Sequence, residues 1–253
     1  MIRIRRDPAT RLPTRLEAGP PSRTAIRGVR PGDADDLLEL RVRNRDFLAP
    51  WDPLRPASFF TRAGQAEWIA LQQRAWADDR GYGFAVLDVE DADRVVGGIN
   101  LFNIVRSARQ SAGMGYWIDE AAGSRGHATA AVRLACAFAF EHLGLHRLEP
   151  AVMPRNARSN RVMEKAGFRR EGLAVRYLRI AGVWEDHSLY ALTAEDFAAS
   201  ATGGPPRGGR LTSWPSLPPA CGVCGGRPRS ATSSARRTSH RRTCCSRCSS
   251  RPA

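Results

Sequence analysis

The spacing of apolar and polar positions predicts a domain in which strands and helices are interspersed. Residues 24–30 alternate weakly, as a first strand does. Leucines then fall on one helical face after Asp33, which is a reasonable helix N-cap, and a second helical pattern covers 64–79. Turn residues separate three strand-like runs, which indicates an antiparallel meander. These runs lie at 82–89, 94–105 and 111–119.

The clearest helical pattern follows Gly126, where apolar residues recur at i, i+3, i+4 and i+7. Gly144 is a natural stop for this helix. A strand at 146–153, a short helix at 157–167 and a hairpin at 171–192 complete the pattern. The resulting order, βααβββαβαββ, predicts a single α+β (mixed α/β) domain over residues 23–198.

The two ends of the chain have a different character. Residues 1–22 are rich in Arg and Pro and are interpreted as a loose basic arm. Residues 199–253 consist mainly of Gly, Pro, Ser and Arg, and are expected to be disordered because they cannot bury enough apolar surface. The tail does carry cysteines with the spacing of a four-thiolate zinc site, at Cys221, Cys224, Cys245 and Cys248. No strand, helix or apolar core is indicated between them, so an unstructured tail is favoured over a metal site.

Charge and hydropathy exclude several function classes for the folded part. The chain has a net charge of +14, but residues 31–200 hold 21 basic and 23 acidic residues. Nucleic-acid binding is therefore expected only through the basic tail, if at all. No run of about 18 apolar residues indicates a membrane span. The N-terminal segment lacks the apolar region of a secretory signal, so a cytoplasmic location is the default expectation.

Small residues surround the start of the helix at Gly126. A helix N-terminus presents unpaired backbone N–H groups and a partial positive charge, and Gly123, Ser124 and Gly126 leave that end open to an anion. The alternative is an ordinary turn in which Ser124 caps the helix. The Lys-Ser/Thr pair of a P-loop and the glycine triplet of a dinucleotide fold are both missing.

The stretch "YWIDEAAGSRGHATAAVRLACAFAFEHLGLHRLEPAVMPRNARSNRVMEKAGFRREG" makes the resemblance specific. It resembles the GNAT acetyltransferases, and within them the RimJ/RimL-type enzymes that acetylate protein N-terminal amines such as those of ribosomal proteins. The similarity covers residues 24–195, from "VRPGDADDLLELRVRNRDFLAPWDP" to "GVWEDHSLYAL". It implies a mostly antiparallel twisted sheet, splayed between two central strands and flanked by helices. It also implies transfer of an acetyl group from acetyl-CoA to a primary amine by direct attack in a ternary complex.

The resemblance implies a set of residues that bind acetyl-CoA along one strand, one turn and one helix start. The strand would pair with the pantetheine arm, and the turn would hold the pyrophosphate. The residues are Tyr116, Trp117, Ile118, Gly123, Ser124, Arg125, Gly126, His127, Ala128, Thr129, Asn156 and Asn160. Two positions depart from the family pattern: Gly123 stands where Gln or Arg is frequent, and Met163 stands where many members carry a tyrosine acid.

The resemblance also implies catalytic and acceptor-binding residues. Ser159 would protonate the departing thiolate, and a backbone N–H near Met153 would polarise the carbonyl. The amine needs a proton acceptor or a water path, for which Glu149 and Asp186 are the leading carboxylates, with Glu185 as a further one. The acceptor amine would meet Asn44, Phe47 and Trp51. Each of these could equally be an ordinary structural residue.

Three other interpretations remain open. The acceptor could be a small amine, such as an antibiotic or a metabolite. The domain could bind acyl-CoA without turnover, which Gly123 and Met163 make conceivable. The tail could be a nucleic-acid or zinc module. The physiological acceptor and the oligomeric state do not follow from the sequence.

Overall fold

The computed structural model describes residues 2–6 and 13–201. The four cysteines of the predicted zinc spacing, and most of the tail, lie outside the described residues. Within the described ranges, no helix is long and apolar enough to cross a membrane.

The N-terminal segment differs from the loose arm that its composition predicted. β1 (Ile2–Arg6) pairs with β2 (Pro13–Ala18), and β2 pairs in turn with β3 (Thr24–Gly28), both antiparallel. The apolar alternation in this segment is too short to stand out among arginines, but Leu16 is fully buried against the core. The domain limits of 23–198 stay a prediction, and regular structure begins before them.

The remaining elements follow the predicted order closely. The helices are α1 (Ala34–Arg43), α2 (Arg45–Leu48), α3 (Arg62–Ala77), α4 (His127–Ala137), α5 (Ala157–Ala166) and α6 (Ala194–Ala201). The strands are β4 (Gly81–Asp88), β5 (Arg94–Val105), β6 (Ser111–Ile118), β7 (Arg147–Leu148), β8 (Ala151–Val152), β9 (Arg169–Ile180) and β10 (Val183–Thr193). They form one sheet in the order β1-β2-β3-β4-β5-β6-β7-β10-β8, with β9 paired to β10.

The sheet splits between β6 and the strands that follow α4. β6 and β7 pair in parallel at two positions only, Ser111 with Arg147 and Ala112 with Leu148. Pro150 interrupts the strand predicted at 146–153, and the chain divides into β7 and β8, which both pair with β10. Beyond Ala112, β6 therefore has no paired strand on this edge among the described residues. This architecture confirms the α+β fold class with a splayed, mostly antiparallel sheet.

Both faces of the sheet are covered. α4 and α5 pack on one face, where Phe138, which follows α4, contacts Phe84 with ring centroids 5.0 Å apart. α1 and α3 cover the other face around Leu37 and Ile69. Asp33 is the N-cap residue of α1 as predicted, but its carboxylate does not bond the first turn of this helix and instead accepts hydrogen bonds from Arg27 and from the backbone N–H of Arg30. β6 thus runs between two helical layers, with one of its edges open.

Candidate active site

The turn before α4 leaves its backbone exposed. Residues 123–126 are all exposed, and no side chain from the described part of the chain caps the helix. Gly126 adopts φ +87°, a left-handed conformation that glycine tolerates and other residues rarely adopt. The first N–H groups of α4 therefore point to solvent beside Arg125, which is the geometry of an anion-binding helix start.

Gly123 is required by a close approach of the backbone. A Cβ atom at this position would lie 2.9 Å from the carbonyl oxygen of Glu120. A Gln or Arg here could be accommodated only if the turn moved. The departure from the family pattern at this position thus has a local steric cause, and the exposed backbone amides of the turn are kept.

His127 is the first residue of α4, but its side chain points away from the turn. The ring is buried, with Nδ1 2.9 Å from Thr24 Oγ1 and Nε2 3.5 Å from Asp88 Oδ2. Burial lowers the pKa of His127, although the nearby Asp88 carboxylate opposes that shift. The prediction that this side chain belongs to the cofactor loop is therefore corrected. Only its backbone can take part.

Asn44 also lies in the interior instead of on an acceptor surface. Its amide nitrogen donates to Asp119 Oδ1 over 2.9 Å, and its oxygen accepts from the backbone N–H of Glu120 over 2.8 Å. Burial alone would raise the pKa of Asp119, but hydrogen bonds from Asn44 and Arg43 lower it. Asn44 is therefore better described as the support of the chain where β6 leads into the turn. Its predicted contact with the acceptor does not fit this burial.

A hydroxyl pair stands at the other helix start. Ser159 Oγ lies 2.7 Å from the hydroxyl of Tyr116, which reaches it from β6. The backbone N–H of Ser159 donates to Asn156 Oδ1 over 3.1 Å, so Asn156 is the N-cap of α5. Burial raises the pKa of Tyr116 to about 12, which keeps its hydroxyl protonated at neutral pH.

The Tyr116 hydroxyl was missed by sequence reasoning, which assigned Tyr116 to the cofactor strand through its backbone alone. The position of Met163 indicated that a tyrosine was missing from this site. Met163 is in fact fully buried, and a tyrosine from β6 supplies a hydroxyl next to Ser159. The two residues are 43 positions apart, so only the pairing of elements in the fold brings them together.

Asn160 holds the turn that joins β8 to α5. Its amide nitrogen donates to the carbonyl oxygens of Met153 and Asn156 over 3.0 and 2.7 Å. Its oxygen accepts from the hydroxyl of Tyr190 over 2.8 Å. The predicted contact between this amide and the cofactor does not fit, because both ends of the amide already have protein partners.

The two leading base candidates are engaged elsewhere. Glu149 is bonded by Arg147 and Arg109, and these bonds lower its pKa although burial alone would raise it. Glu149 also lies at the closed end of the split, where its N–H donates to the carbonyl of Ala112. Asp186 accepts from the backbone N–H of Arg176 over 2.7 Å, across an irregularity in the β9–β10 pairing. Neither arrangement suits a general base.

Arg155 connects Trp51 and Glu185 at the open end of the split, opposite the β6–β7 pairing. We call this end the mouth. The guanidinium of Arg155 lies 4.9 Å from the Trp51 ring centroid and donates to Glu185 over 2.9 Å. Phe47 is half-buried in α2. The role of Phe47 and Trp51 in acceptor binding stays a prediction, and Arg155 is a residue of this mouth that sequence reasoning missed.

Comparisons with known proteins identify the family of this domain. A family model described as an acetyltransferase (GNAT) domain matches residues 23–169. The probable N-acetyltransferase YjcK of Bacillus subtilis is 42% identical over 171 residues, which is 68% of this chain and 94% of that protein. The [ribosomal protein uS5]-alanine N-acetyltransferase of Escherichia coli is 30% identical, over 69% of this chain and 90% of that protein.

A solved structure shows the same fold with a bound coenzyme. Mycobacterium smegmatis RimJ in complex with CoA-disulfide superposes with a TM-score of 0.66 and is 30% identical, covering 71% of this chain and 89% of that one. The predicted resemblance and the use of acetyl-CoA are therefore confirmed. The chain belongs to the GNAT family and is an acetyl-CoA-dependent N-acetyltransferase with RimJ/RimL-type enzymes among its relatives.

Proposed function

We propose that this enzyme acetylates a protein N-terminal amine, with a ribosomal protein as a candidate acceptor. The observation that carries the proposal is the split in the sheet, which opens between the exposed start of α4 and the Ser159–Tyr116 pair. The assignment of the acceptor class is supported by the uS5-alanine acetyltransferase, which aligns with most of the domain.

The residues present fit acetyl-CoA, which supplies the acetyl group as an activated thioester. The backbone N–H groups at Gly126 and the first turn of α4 bind the pyrophosphate, with Arg125 as an added charge. The open edge of β6 pairs with the pantetheine amides as a neighbouring strand would. The NH₂ group of Asn156 has no bond to any described residue, so it is free to donate to pantetheine while its oxygen caps α5.

The proton balance of the transfer requires an acid at the sulfur. The amine nitrogen forms a bond to the carbonyl carbon and loses a proton, while the C–S bond breaks and the sulfur must gain a proton. Ser159 donates that proton from Oγ, and Tyr116 holds Ser159 in place and can replace its proton. Because Glu149 and Asp186 are held by protein groups, the amine's proton leaves through water at the mouth between Trp51 and Glu185.

The test is an incubation with acetyl-CoA and a panel of acceptors, read by mass spectrometry and by release of free thiol. The panel holds peptides with different N-terminal residues, the same peptides with a blocked N-terminus, and small amines including spermidine and aminoglycosides. Acetylation of free but not blocked N-termini is expected. Labelling of the small amines alone would establish the small-amine alternative, and coenzyme A binding without any transfer would indicate a binding domain.

A further inference from the structure

Arg41 is a buried cation with few partners. The residue is 8% exposed, yet its one ion pair within the described part of the chain, to Asp52, is as long as 3.5 Å. A guanidinium carries five N–H donors in a rigid fork, and buried cations are usually paired and hydrogen-bonded. Among the described residues, the Arg41 guanidinium makes only this one hydrogen bond, from Nη1, so its other N–H donors are open to solvent or to a ligand.

Trp117 places this cation next to the split in the sheet. The Arg41 guanidinium lies 3.8 Å from the Trp117 ring centroid. Trp117 follows Tyr116 on β6, and side chains alternate between the faces of a strand. Tyr116 reaches Ser159 on the α5 side, so Arg41 and Trp117 lie on the opposite side of the same strand. The indole fits there because a Cβ at Gly98 would lie 2.8 Å from its Nε1.

The charges around Arg41 are unbalanced. Asp52 also serves Arg55 at 3.7 Å, so two guanidiniums share one carboxylate among the described residues. Both cations lie near the ring of Phe59, at 5.5 and 5.0 Å from its centroid. Burial, with repulsion from Arg55, lowers the pKa of Arg41 to about 10, so Arg41 remains charged at neutral pH. Arg41, Arg55 and Asp52 together carry a net positive charge, which a carboxylate ligand would neutralise and the dipole of a carbonyl ligand would stabilise.

The loop that carries Asp52 covers this cluster and leads to the mouth. The carbonyl of Asp52 accepts from the backbone N–H of Ala181, at the turn of the β9–β10 hairpin, over 3.0 Å. Trp51, its neighbour in the loop, meets Arg155 at the mouth described above. A ligand that enters by this mouth on the α1 side of β6 would meet the unused donors of Arg41.

We propose that Arg41 binds the carbonyl or carboxylate oxygen of an α-amino acceptor and selects such acceptors over polyamines. The inference rests on the proposed function and specifies how its acceptor is chosen. In an α-amino acyl group the oxygen lies three bonds from the amine, so one fork-shaped donor can fix it while the amine faces the thioester. A polyamine offers no oxygen and brings further positive charge toward Arg41 and Arg55, which is unfavourable in a partly buried site.

The experiment compares the full-length enzyme with Arg41→Met and Arg41→Lys. Met keeps a long side chain over Trp117 without donors or charge, and Lys keeps the charge without the fork. For an N-terminal alanine peptide, Arg41→Met is expected to raise KM about tenfold or more, as expected for loss of a hydrogen bond to a charged group. The KM for acetyl-CoA should not change, and the ratio of peptide to spermidine kcat/KM should fall. Arg41→Lys should restore the discrimination against spermidine but only part of the peptide affinity.

Arg62→Met is the matched control, because Arg62 forms an exposed ion pair with Asp35 and its loss removes the same charge. Peptides with a neutral or an acidic second residue test which oxygen is bound: an effect of Arg41→Met confined to the acidic peptide would assign the contact to a side chain and overturn the inference. An unchanged peptide KM in Arg41→Met, or an equal loss with peptide and spermidine, would overturn the inference while leaving N-terminal acetylation intact. Absence of peptide acetylation by the unmodified enzyme would instead refute the proposed function.

Discussion

Two helices begin on either side of the split in the sheet, and their starts are built in opposite ways. The N-cap residue of α4 is Gly126, which is exposed, in a left-handed conformation, and without a side-chain cap among the described residues. The N-cap residue of α5 is Asn156, whose side-chain oxygen accepts from the backbone N–H of Ser159. A helix start normally has its first N–H groups bonded by a cap or by water. Here one start is capped by the chain itself, and the other is left open.

This difference suits the start of α4 to binding a ligand and the start of α5 to positioning a side chain. The open start of α4 offers backbone donors to a ligand that approaches from solvent, and it requires small residues more than any particular side chain. The capped start of α5 fixes the backbone of Ser159, and Tyr116 fixes its hydroxyl. The first helix start is suited to hold an anion, and the second to hold one proton donor in a defined place.

Filling the open start should have the largest effect. In Gly126→Glu, a carboxylate occupies the position of the pyrophosphate and repels it. Loss of two hydrogen bonds to a charged group predicts about a thousandfold weaker coenzyme A binding, measured by titration calorimetry. Gly144→Glu is the control, because Gly144 also has a positive φ, of 63°, with no atom within 4 Å of an added Cβ. Equal binding by Gly126→Glu and the unmodified enzyme would disprove an anion site at this helix.

The hydroxyl pair at the capped start should control turnover more than binding. Ser159→Ala is expected to lower kcat about a hundredfold, as for loss of a general acid, with little change in KM for acetyl-CoA. Tyr116→Phe should lower kcat by about tenfold and should add little in the Ser159→Ala background, because both act on one proton. With the pKa of Tyr116 near 12, kcat should show no loss from its ionisation at mildly alkaline pH. Additive losses in the double variant would separate the two hydroxyls.

The sequence predicted the open helix start better than the capped one. Local patterns define the first: small residues cluster at 123–128, and the helical period that follows Gly126 marks where the helix starts. The second depends on a contact between β6 and α5 that no local pattern reports. Tyr116 was therefore assigned a backbone role only, and Asn160 was assigned to the cofactor although three carbonyls and Tyr190 surround its amide.

The same limit explains the other differences. A sequence does not show which carboxylates already accept hydrogen bonds. Arg109, which donates to Glu149, is 40 positions away, and Arg176, which donates to Asp186, lies on the neighbouring strand. The order and bounds of most elements were predicted because apolar periodicity is a local property. The N-terminal strands were missed because arginines obscure their short apolar alternation. They are defined by their pairing, of β1 with β2 and of β2 with β3, which a local pattern does not show.

Asn156 allows the two functions of the capped start to be separated. Asn156→Ala removes the cap and should cost about 1 kcal/mol of stability. Asn156→Asp keeps an oxygen for the N–H of Ser159 and should leave stability unchanged, but it lacks the NH₂ group proposed to meet pantetheine. We expect a several-fold higher KM for acetyl-CoA in Asn156→Asp, about what one lost neutral hydrogen bond predicts. If its KM matched that of the unmodified enzyme, Asn156 would be a helix cap and nothing more.

The smallest expected effect concerns His127, the first residue of the open helix, which is buried where its neighbours are exposed. Its folded-state pKa is lowered by burial, so below about pH 6.5 the unfolded chain binds a proton that the folded chain resists. Above about pH 6.5 the titration of His127 therefore adds no pH dependence to the free energy of unfolding. Below that pH the free energy of unfolding falls as the pH decreases, by at most about 1.4 kcal/mol per pH unit.

His127→Gln tests this, because Gln cannot titrate. The variant should be less stable at pH 8, where it loses the Thr24 contact, but its free energy of unfolding should fall less steeply between pH 6.5 and 5. Urea unfolding at several pH values measures both. Losses from carboxylates that have a lowered pKa and do not contact His127, such as Asp119, occur at lower pH and affect both proteins. If the free energy of unfolding fell in parallel for the two proteins as the pH decreases, the titration of His127 would make no contribution to stability. Coenzyme A binding should remain, since only the backbone N–H of His127 is proposed to contact the pyrophosphate.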